Sequence, residues 1–174
     1  MSRSESYAQA LIAVGNAEGG ADAIESDLHT FANAVSGSSD LQNSLSDSSV
    51  PVAARQQVVE DLLAGKASKA SVAAISMIVG AGRAADIPEI ARAMSSQMAG
   101  SRGAAYAEVR SAVALSDAQV EKLEAALSKK AGHPVSVRVA IDPTVVGGLV
   151  TQIDDTVIDG SLRRRLNQMR ESLA

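Results

Sequence analysis

The stretch "SDAQVEKLEAALSKKAGHPVSVRVAI", residues 116–141, decides the fold because it changes from a helical to a strand-like pattern within a few residues. Ser116 and Gln119 have the spacing of a capping box, and Gly132 is a natural helix terminator. Beyond it, large apolar residues alternate strictly with other residue types, at positions 135, 137, 139 and 141. Such alternation is typical of a strand with one buried face. The stretch therefore predicts a helix followed by a half-buried strand.

Further strands are predicted on both sides of this stretch. Residues 104–115 approach alternation upstream, and the runs Leu149 to Ile153 and Thr156 to Ile158 follow downstream. A terminal helix is predicted from Ser161 onward, with apolar residues along one side. Together these elements predict a small α/β domain over residues 104–174.

The N-terminal part has helical periodicity interrupted by short polar breaks. One apolar stripe has spacings of four, three and four residues: Ile24, Leu28, Phe31 and Val35. The other segments before residue 99 follow the same period, and Gly100 to Gly103 forms the predicted domain boundary. The predicted fold is mainly α with a small α+β part, namely a six-helix N-terminal bundle over residues 1–103 and a C-terminal α/β domain over residues 104–174.

The fifth predicted helix, within "SVAAISMIVGAGRAADIPEI" at residues 71–90, is unusually apolar. Its large apolar residues cover more of the helix circumference than one core-facing stripe requires: Val72, Ile75, Met77, Ile78 and Val79. One interpretation is a central helix that its own bundle buries. The other is a helix that offers part of its surface to a partner helix. The sequence pattern leaves both interpretations open.

Composition excludes several classes of function. The net charge is -4 and aromatic residues make up 2%, so neither general attraction to nucleic acid nor aromatic stacking on bases is expected. The lack of cysteine excludes disulfides and zinc–thiolate sites. The longest apolar stretch, Val72 to Ala81, is about half as long as a membrane span requires. A soluble chain is expected.

Four aspartates near the C-terminus raise the question of a metal site: Asp142, Asp154, Asp155 and Asp159. They lack the alternating spacing and terminal glutamate of a calcium loop, and each has a position that turns favour. The turn interpretation is therefore preferred, and no metal is predicted. Gly147 and Gly148 likewise lack the context of a phosphate-binding loop, which favours a tight bend before a strand.

Candidate catalytic groups are equally sparse. His29 lies among core-spaced residues of the second helix, and His133 precedes a proline. The sequence indicates no catalytic partner for either histidine. The triplet Arg163 to Arg165 raises phosphate or nucleic-acid binding, but a solvated or partner-facing basic face is preferred. The sequence predicts no enzyme and no cofactor.

Three stretches resemble one protein family. "SYAQALIAVGNAEG" is similar to its opening helix, "GAGRAADIPEI" to its G-R-x-x-x-L-P-x-I segment, and residues 109–166 to its C-terminal signature. The family is the delta subunit of bacterial F-type ATP synthase, the homologue of the mitochondrial oligomycin-sensitivity-conferring protein. Its signature falls on Asp142, Pro143, Gly147, Gly148, Asp159, Gly160 and Ser161. Asp154-Asp155 departs from the glycine and aspartate that the family commonly has in the preceding turn.

The resemblance implies a noncatalytic subunit of the peripheral stalk, or stator. It implies that an N-terminal helical segment of the alpha subunit binds in a groove between the first and fifth helices, and that the C-terminal domain holds the C-terminal region of the b subunit. The implied groove residues are Tyr7, Ala10, Leu11, Val14, Ile75, Met77, Ile78 and Val79.

The same resemblance implies a place for the chain in the cell. It implies a hetero-oligomeric complex at the cytoplasmic face of the bacterial inner membrane, with neither nucleic acid nor a small-molecule substrate. In some members of the family the delta sequence is fused to a b-like segment, which this chain is expected to lack.

The implied mechanism is mechanical, because a stator holds the catalytic head against rotation so that proton flow is coupled to ATP synthesis. Leu11→Asp or Val79→Asp is therefore expected to weaken alpha-subunit binding and to leave the fold largely intact. The alternative function is a free-standing helical adaptor or regulatory binding module with the same architecture. A nucleic-acid binder that uses Arg163 to Arg165 is a third hypothesis.

Overall fold

The computed structural model describes residues 2–145, 147–153 and 156–159. The chain divides into two compact units, Met1–Gln97 and Met98–Ala174. The sequence places the domain boundary slightly later, between residues 103 and 104, in the turn after the last helix of the bundle. Several predicted features lie outside the described residues: Asp154, Asp155, Gly160, Ser161, Arg163 to Arg165 and the terminal helix.

Six α-helices follow one another through the described residues up to Ser101, as the sequence predicts. Their bounds are α1 Arg3–Glu18, α2 Ala21–Gly37, α3 Ser39–Ser46, α4 Val52–Leu63, α5 Lys69–Gly80 and α6 Ile87–Ser101. A short 3-10 turn, Ala84–Asp86, leads into α6.

Capping interactions fix the ends of α1. Ser2 and Glu5 form a capping box at its start. At its end Gly19 adopts a φ of 70°, and the N–H of Gly20 donates to the carbonyl oxygen of Gly15 at 2.8 Å. Gly19 and Gly20 therefore end α1.

Pro51 stands immediately before α4. The ψ angle of Pro51 is 140°, which is extended rather than helical, so Pro51 is the N-cap and the helix begins at Val52.

The core of the N-terminal unit is built around α2 and α5. Every residue of the predicted α2 stripe is buried: Ile24, Leu28, Phe31 and Val35. α5 packs against α2 and α4, and its Ile75, Ile78 and Val79 are each 0% exposed. The interpretation of α5 as a helix buried by its own bundle is confirmed for these three residues.

α1 approaches α2 closely at a position where α1 has no side chain. A Cβ atom placed on Gly15 would lie 2.6 Å from the Cα atom of Ala21, well inside van der Waals contact. Glycine weakens a helix interior by about 0.5–1 kcal/mol relative to alanine. The close approach of the two backbones is the packing reason for glycine at this position.

Within its described residues, the C-terminal unit contains a four-stranded sheet and a helix. The strands are β1 Ala105–Ser111, β2 Val135–Ile141, β3 Leu149–Ile153 and β4 Thr156–Asp159, and α7 spans Asp117–Ala131. The strand order is β2-β1-β3-β4, with β1 and β2 parallel and the other neighbours antiparallel. Because α7 connects the two parallel strands, β1, α7 and β2 form a βαβ unit.

The local predictions for this unit are largely confirmed. α7 has the predicted capping box of Ser116 and Gln119, and Gly132 ends it with a φ of 79°. The strand predicted over residues 104–115 is too long, because β1 ends at Ser111 and Val113 beyond it is 65% exposed. There the N–H of Val113 bonds to the Ser111 hydroxyl at 3.3 Å, which turns the chain away from the ladder.

The core of the C-terminal unit lies between α7 and the sheet. Its buried members are Ala107, Val109, Leu127, Val135 and Val137. α7 also covers the start of the outer edge of β2, since Ser128 accepts from the N–H of Val135 at 3.0 Å and Glu124 accepts from the N–H of Val137 at 2.8 Å. These two bonds occupy backbone donors that an edge strand would otherwise offer to another chain.

The close approach of α1 and α2 generates a stability prediction. Gly15→Ala is expected to destabilise the protein by about 1–3 kcal/mol, because the new methyl group overpacks the contact with Ala21. The midpoint of urea unfolding, followed by helical circular dichroism, measures the change. Gly37→Ala is the matched control, because an added Cβ there meets nothing within 4 Å, so a neutral or slightly stabilising effect is expected. A Gly15→Ala variant as stable as the wild type would contradict the packing.

Candidate functional site

The eight predicted groove residues divide into a buried and an accessible set. Leu11 is 2% exposed, and Ile75, Ile78 and Val79 are fully buried. Val14 and Met77 are 50% and 51% exposed. Tyr7 is half-buried and Ala10 is exposed. Four of the eight residues can therefore meet another molecule, and the other four belong to the core.

This division corrects one expectation. The sequence analysis expects Leu11→Asp and Val79→Asp to leave the fold largely intact. Both side chains are buried, so either substitution would place an unpaired carboxylate in the core. Loss of binding by these variants would report unfolding rather than contact with a partner.

The accessible residues of α1 form a strip beside the buried face of the helix. Tyr7, Ala10 and Val14 have the spacing i, i+3 and i+7, which places them on one side of the helix. The buried residues Ala8, Leu11 and Gly15 have the same spacing one position later, so their row is adjacent. α1 therefore uses one row against its own bundle and presents the next row to the surroundings.

Both helices that contribute to the predicted groove pack on α2. α1 contacts α2 through the Gly15 region, and α5 contacts α2 through its buried face. Neither Val14 on α1 nor Met77 on α5 is buried against α2, and both side chains remain about half exposed. Val14 and Met77 are thus single exposed apolar side chains on two helices that both contact α2.

The aspartate that begins the C-terminal signature shapes a turn. One carboxylate oxygen of Asp142 accepts from the Thr144 hydroxyl at 2.6 Å and from the Thr144 N–H at 2.9 Å. The N–H of Val145 donates to the carbonyl oxygen of Asp142 at 3.1 Å, with Pro143 between them. This is the arrangement in which aspartate and proline favour a β-turn, so the turn interpretation of Asp142 is confirmed.

Hydrogen bonding also sets the charge state of this turn. The Thr144 hydroxyl and then the Thr144 N–H lower the pKa of the Asp142 carboxyl below its ordinary value of 3.8. Arg110 adds a smaller effect in the same direction, with its Nη1 atom 3.4 Å from the carboxylate. The Asp142 carboxylate therefore accepts hydrogen bonds from Thr144 within the turn and pairs with Arg110.

The paired glycines follow this turn and precede β3. Gly147 has a φ of 126° and Gly148 a φ of 78°, both in the region that favours glycine. Asp159, the last residue of β4, pairs with Val150 of β3. In the ranges that the structure describes, no three histidine, aspartate or glutamate side chains gather in a way that could hold a metal ion. The signature residues within the described ranges have turn and strand-end positions.

Sequence reasoning missed two buried charged residues. Arg55 is 7% exposed and Glu25 is 3% exposed, where the Ser95 hydroxyl donates to Glu25 at 2.6 Å. Arg55 precedes buried Val59 and Leu63 at spacings of four residues, so the period itself places it on the core side of α4. The spacing of Arg55 from Val59 and Leu63 could have indicated that Arg55 is buried, but its charge argued for exposure.

A family model described as ATP synthase delta (OSCP) subunit matches residues 4–173. The chain belongs to this family. A delta subunit of Nocardia farcinica is 36% identical over 166 residues, which is 95% of this chain and 61% of the relative. A delta subunit of Geobacter metallireducens is 31% identical over 168 residues, which is 96% of this chain and 93% of the relative.

The fold also resembles a solved structure. A chain in the cryo-EM structure of the Toxoplasma gondii mitochondrial ATP synthase hexamer has a TM-score of 0.62 at 18% identity, and the match covers 99% of this chain and 98% of that one. At this identity the likeness shows a shared fold.

The relatives differ in length from this chain. The chain spans about 60% of the Nocardia farcinica and Rhodococcus opacus relatives, which are matched over 61% and 59% of their lengths. The delta subunit is a noncatalytic structural component of ATP synthase. Among the helices that the structure describes, none has the length and apolar character needed to cross a membrane.

The Asp142 turn generates a prediction about acid. Thr144→Val is expected to raise the pKa of Asp142, because it removes the hydroxyl that bonds to the carboxylate. Since the folded-state pKa is lowered, the carboxylate stabilises the fold fully above its unfolded pKa of about 3.8, and this contribution disappears as the pH falls through the lower folded value. A carboxyl NMR titration measures the pKa directly.

Arg110→Met is the control for this titration. It is expected to raise the pKa of Asp142 less than Thr144→Val does, because the charge of Arg110 contributes less than the hydrogen bonds from Thr144. An unchanged pKa in the Thr144→Val variant would contradict the turn geometry.

Proposed function

We propose that this chain is a peripheral-stalk subunit that joins the N-terminal helix of the alpha subunit, on the catalytic head, to the C-terminal region of the b subunit. The observation that carries the proposal is the accessible apolar strip of α1, together with Met77 on α5. Family membership supplies the complex in which such a strip has a use.

The alpha-subunit contact follows from the accessible half of the predicted groove. A partner helix would bury Val14 and Met77 directly and would pass Tyr7 and Ala10 along α1. Leu11, Ile75, Ile78 and Val79 would support the groove from within the core rather than touch the partner. In helix-in-groove binding an amphipathic partner helix inserts its own apolar face, and the accessible strip on α1 would form one wall of the groove that receives it.

The energy of such a contact comes from apolar burial. Each Å² of apolar surface removed from water contributes about 25 cal/mol, so a few half-exposed side chains yield several kcal/mol before the costs of ordering are subtracted. A contact of this kind can resist a lateral force, and it needs no chemical reaction to do so. The subunit would hold the head while the central shaft turns, so that proton flow is coupled to ATP synthesis.

The contact between the C-terminal unit and the b subunit is the part of the proposal that rests on the resemblance to the family. The α7 face of this unit is used by its own core, and the start of the outer edge of β2 is capped by Ser128 and Glu124. In this proposal the protein is peripheral to the cytoplasmic face of the inner membrane and is held there through the complex. It needs no cofactor, nucleic acid or small-molecule substrate for that role.

The proposed alpha-subunit contact is tested by substitutions at accessible residues. Val14→Asp and Met77→Asp are each expected to weaken binding of an alpha N-terminal peptide at least about tenfold, because each places a charge in an apolar contact. Isothermal titration calorimetry with the full chain measures the dissociation constants. Circular dichroism melting verifies that the variants stay folded.

Leu62→Asp on α4 is the matched control. The Leu62 side chain is 40% exposed, so this variant tests the loss of an exposed apolar residue on a helix other than α1 and α5. Unchanged peptide affinity is expected for it. Wild-type affinity in both Val14→Asp and Met77→Asp, or an equal loss in Leu62→Asp, would overturn the assignment of the groove.

A further inference from the structure

α1 buries little of its surface in the bundle. All 16 of its residues are described, and four of them are buried: Ser4, Ala8, Leu11 and Gly15. Of these four, Leu11 is the one with a large apolar side chain. α2 has nearly the same length, 17 residues, and buries four large apolar side chains along its stripe. Because apolar packing supplies most of the stability of a helix in a protein, α1 is held less firmly than α2.

Two glycines join α1 to α2. Gly19 is the C-cap of α1 with a φ of 70°, and Gly20, the N-cap of α2, offers no side chain to cap that helix. Among the described residues, an added Cβ at either position meets nothing within 4 Å, so the connection lies in open space. Glycine has the widest backbone freedom of any residue. Gly19-Gly20 therefore has the properties of a hinge, where a few residues at the end of an element absorb a change in φ and ψ.

Release of α1 from the bundle would also unfold it. A helix of 16 residues is only marginally stable by itself in water, and a glycine in its interior weakens it further. In the bundle Gly15 is useful, because it permits the close contact with Ala21, but that contact is lost on release. The backbone amides of α1 thus become exchangeable with water whenever the helix opens.

The accessible strip of α1 is the place where a partner helix can hold it. Val14 on α1 is 50% exposed and Met77 on α5 is 51% exposed. α5 is fixed in the core by three fully buried side chains, those of Ile75, Ile78 and Val79. A helix that contacts both Val14 and Met77 would join the weakly held α1 to the firmly held α5.

We infer that α1 is a hinged strap, which opens from the bundle about Gly19-Gly20 and which the alpha-subunit helix closes by binding to both α1 and α5. The closing half rests on the proposed function, whereas the opening half concerns the free chain alone. Elements that bind ligands belong to the least stable part of a fold. A partner that binds only the closed form lowers the opening constant, the ratio of open to closed molecules, by a factor of one plus the ratio of its concentration to its dissociation constant.

Native-state hydrogen exchange of the full chain, followed amide by amide by NMR at increasing urea concentration, tests the opening. The amide of Leu11 is expected to have an opening constant at least about tenfold larger than those of Leu28 on α2 and Ile78 on α5. Its dependence on urea is expected to be smaller, because opening of α1 exposes less surface than global unfolding does. Equal protection and equal urea dependence at all three amides would overturn the inference.

Gly20→Ala tests the hinge. The φ of Gly20 is -125°, which alanine can adopt, and the new methyl group restricts the backbone of the open form. The opening constant of α1 is therefore expected to fall about two- to fivefold. Any effect on the N-cap of α2 is shared by the open and closed forms and cancels.

Gly37→Ala, at the other end of α2, is the matched control. An added Cβ there is equally free of contact within 4 Å in the described part of the chain, but Gly37 does not lie between α1 and the rest of the bundle. An unchanged opening constant of α1 is expected. No effect of Gly20→Ala, or an equal effect of Gly37→Ala, would contradict the hinge.

A peptide of the N-terminal helix of the alpha subunit tests the closure. At a free concentration of about a hundred times its dissociation constant, measured by calorimetry on the same chain, the opening constant of α1 is expected to fall about a hundredfold. A peptide that binds and leaves this constant unchanged would overturn the closure. A peptide that does not bind would overturn the proposed alpha-subunit contact and the closure together, whereas exchange in the free chain decides the opening in either case.

Discussion

The packing of both α1 and α5 on α2 is the interaction on which the N-terminal unit depends. α2 supplies an unbroken buried stripe, and Gly15 lets the backbone of α1 approach Ala21 closely. Because α2 occupies one side of each neighbour, adjacent residues on α1 and α5 acquire different roles. Leu11 and Ile78 stabilise the bundle, whereas Val14 and Met77 remain accessible to a partner. Buried and accessible apolar side chains therefore lie on neighbouring rows of the same helices.

In the C-terminal unit, residues that raise the question of a catalytic or metal site form turns instead. Parallel strands need a covering connection, and α7 supplies it while capping the start of the exposed edge of β2. The return from β2 to β3 then needs a tight turn and a glycine bend, which Asp142, Pro143 and the paired glycines provide. A carboxylate held by Thr144 and Arg110 is already engaged, so this part of the acidic stretch is accounted for by the turn.

Local signals made most of the fold predictable. The capping box at Ser116, the terminator at Gly132 and the alternation of β2 depend on neighbouring residues, and each is confirmed. The candidate site was harder, because the side of α1 or α5 that faces α2 depends on packing between distant segments. The sequence shows that Leu11 and Val79 are apolar, but the helical period alone did not show that both are buried. Arg55 was missed for the opposite reason, since its charge argued for exposure although its spacing from Val59 argued for burial.

The most direct test of the proposed role uses the full chain with an affinity tag in detergent-solubilised membranes of the cell from which it comes. A stator subunit is predicted to recover both the alpha and the b subunits together. Treatment with nuclease should leave that recovery unchanged, because the contacts are between proteins. Recovery of nucleic acid, or of other proteins without alpha and b subunits, would contradict the proposed link between the catalytic head and the peripheral stalk.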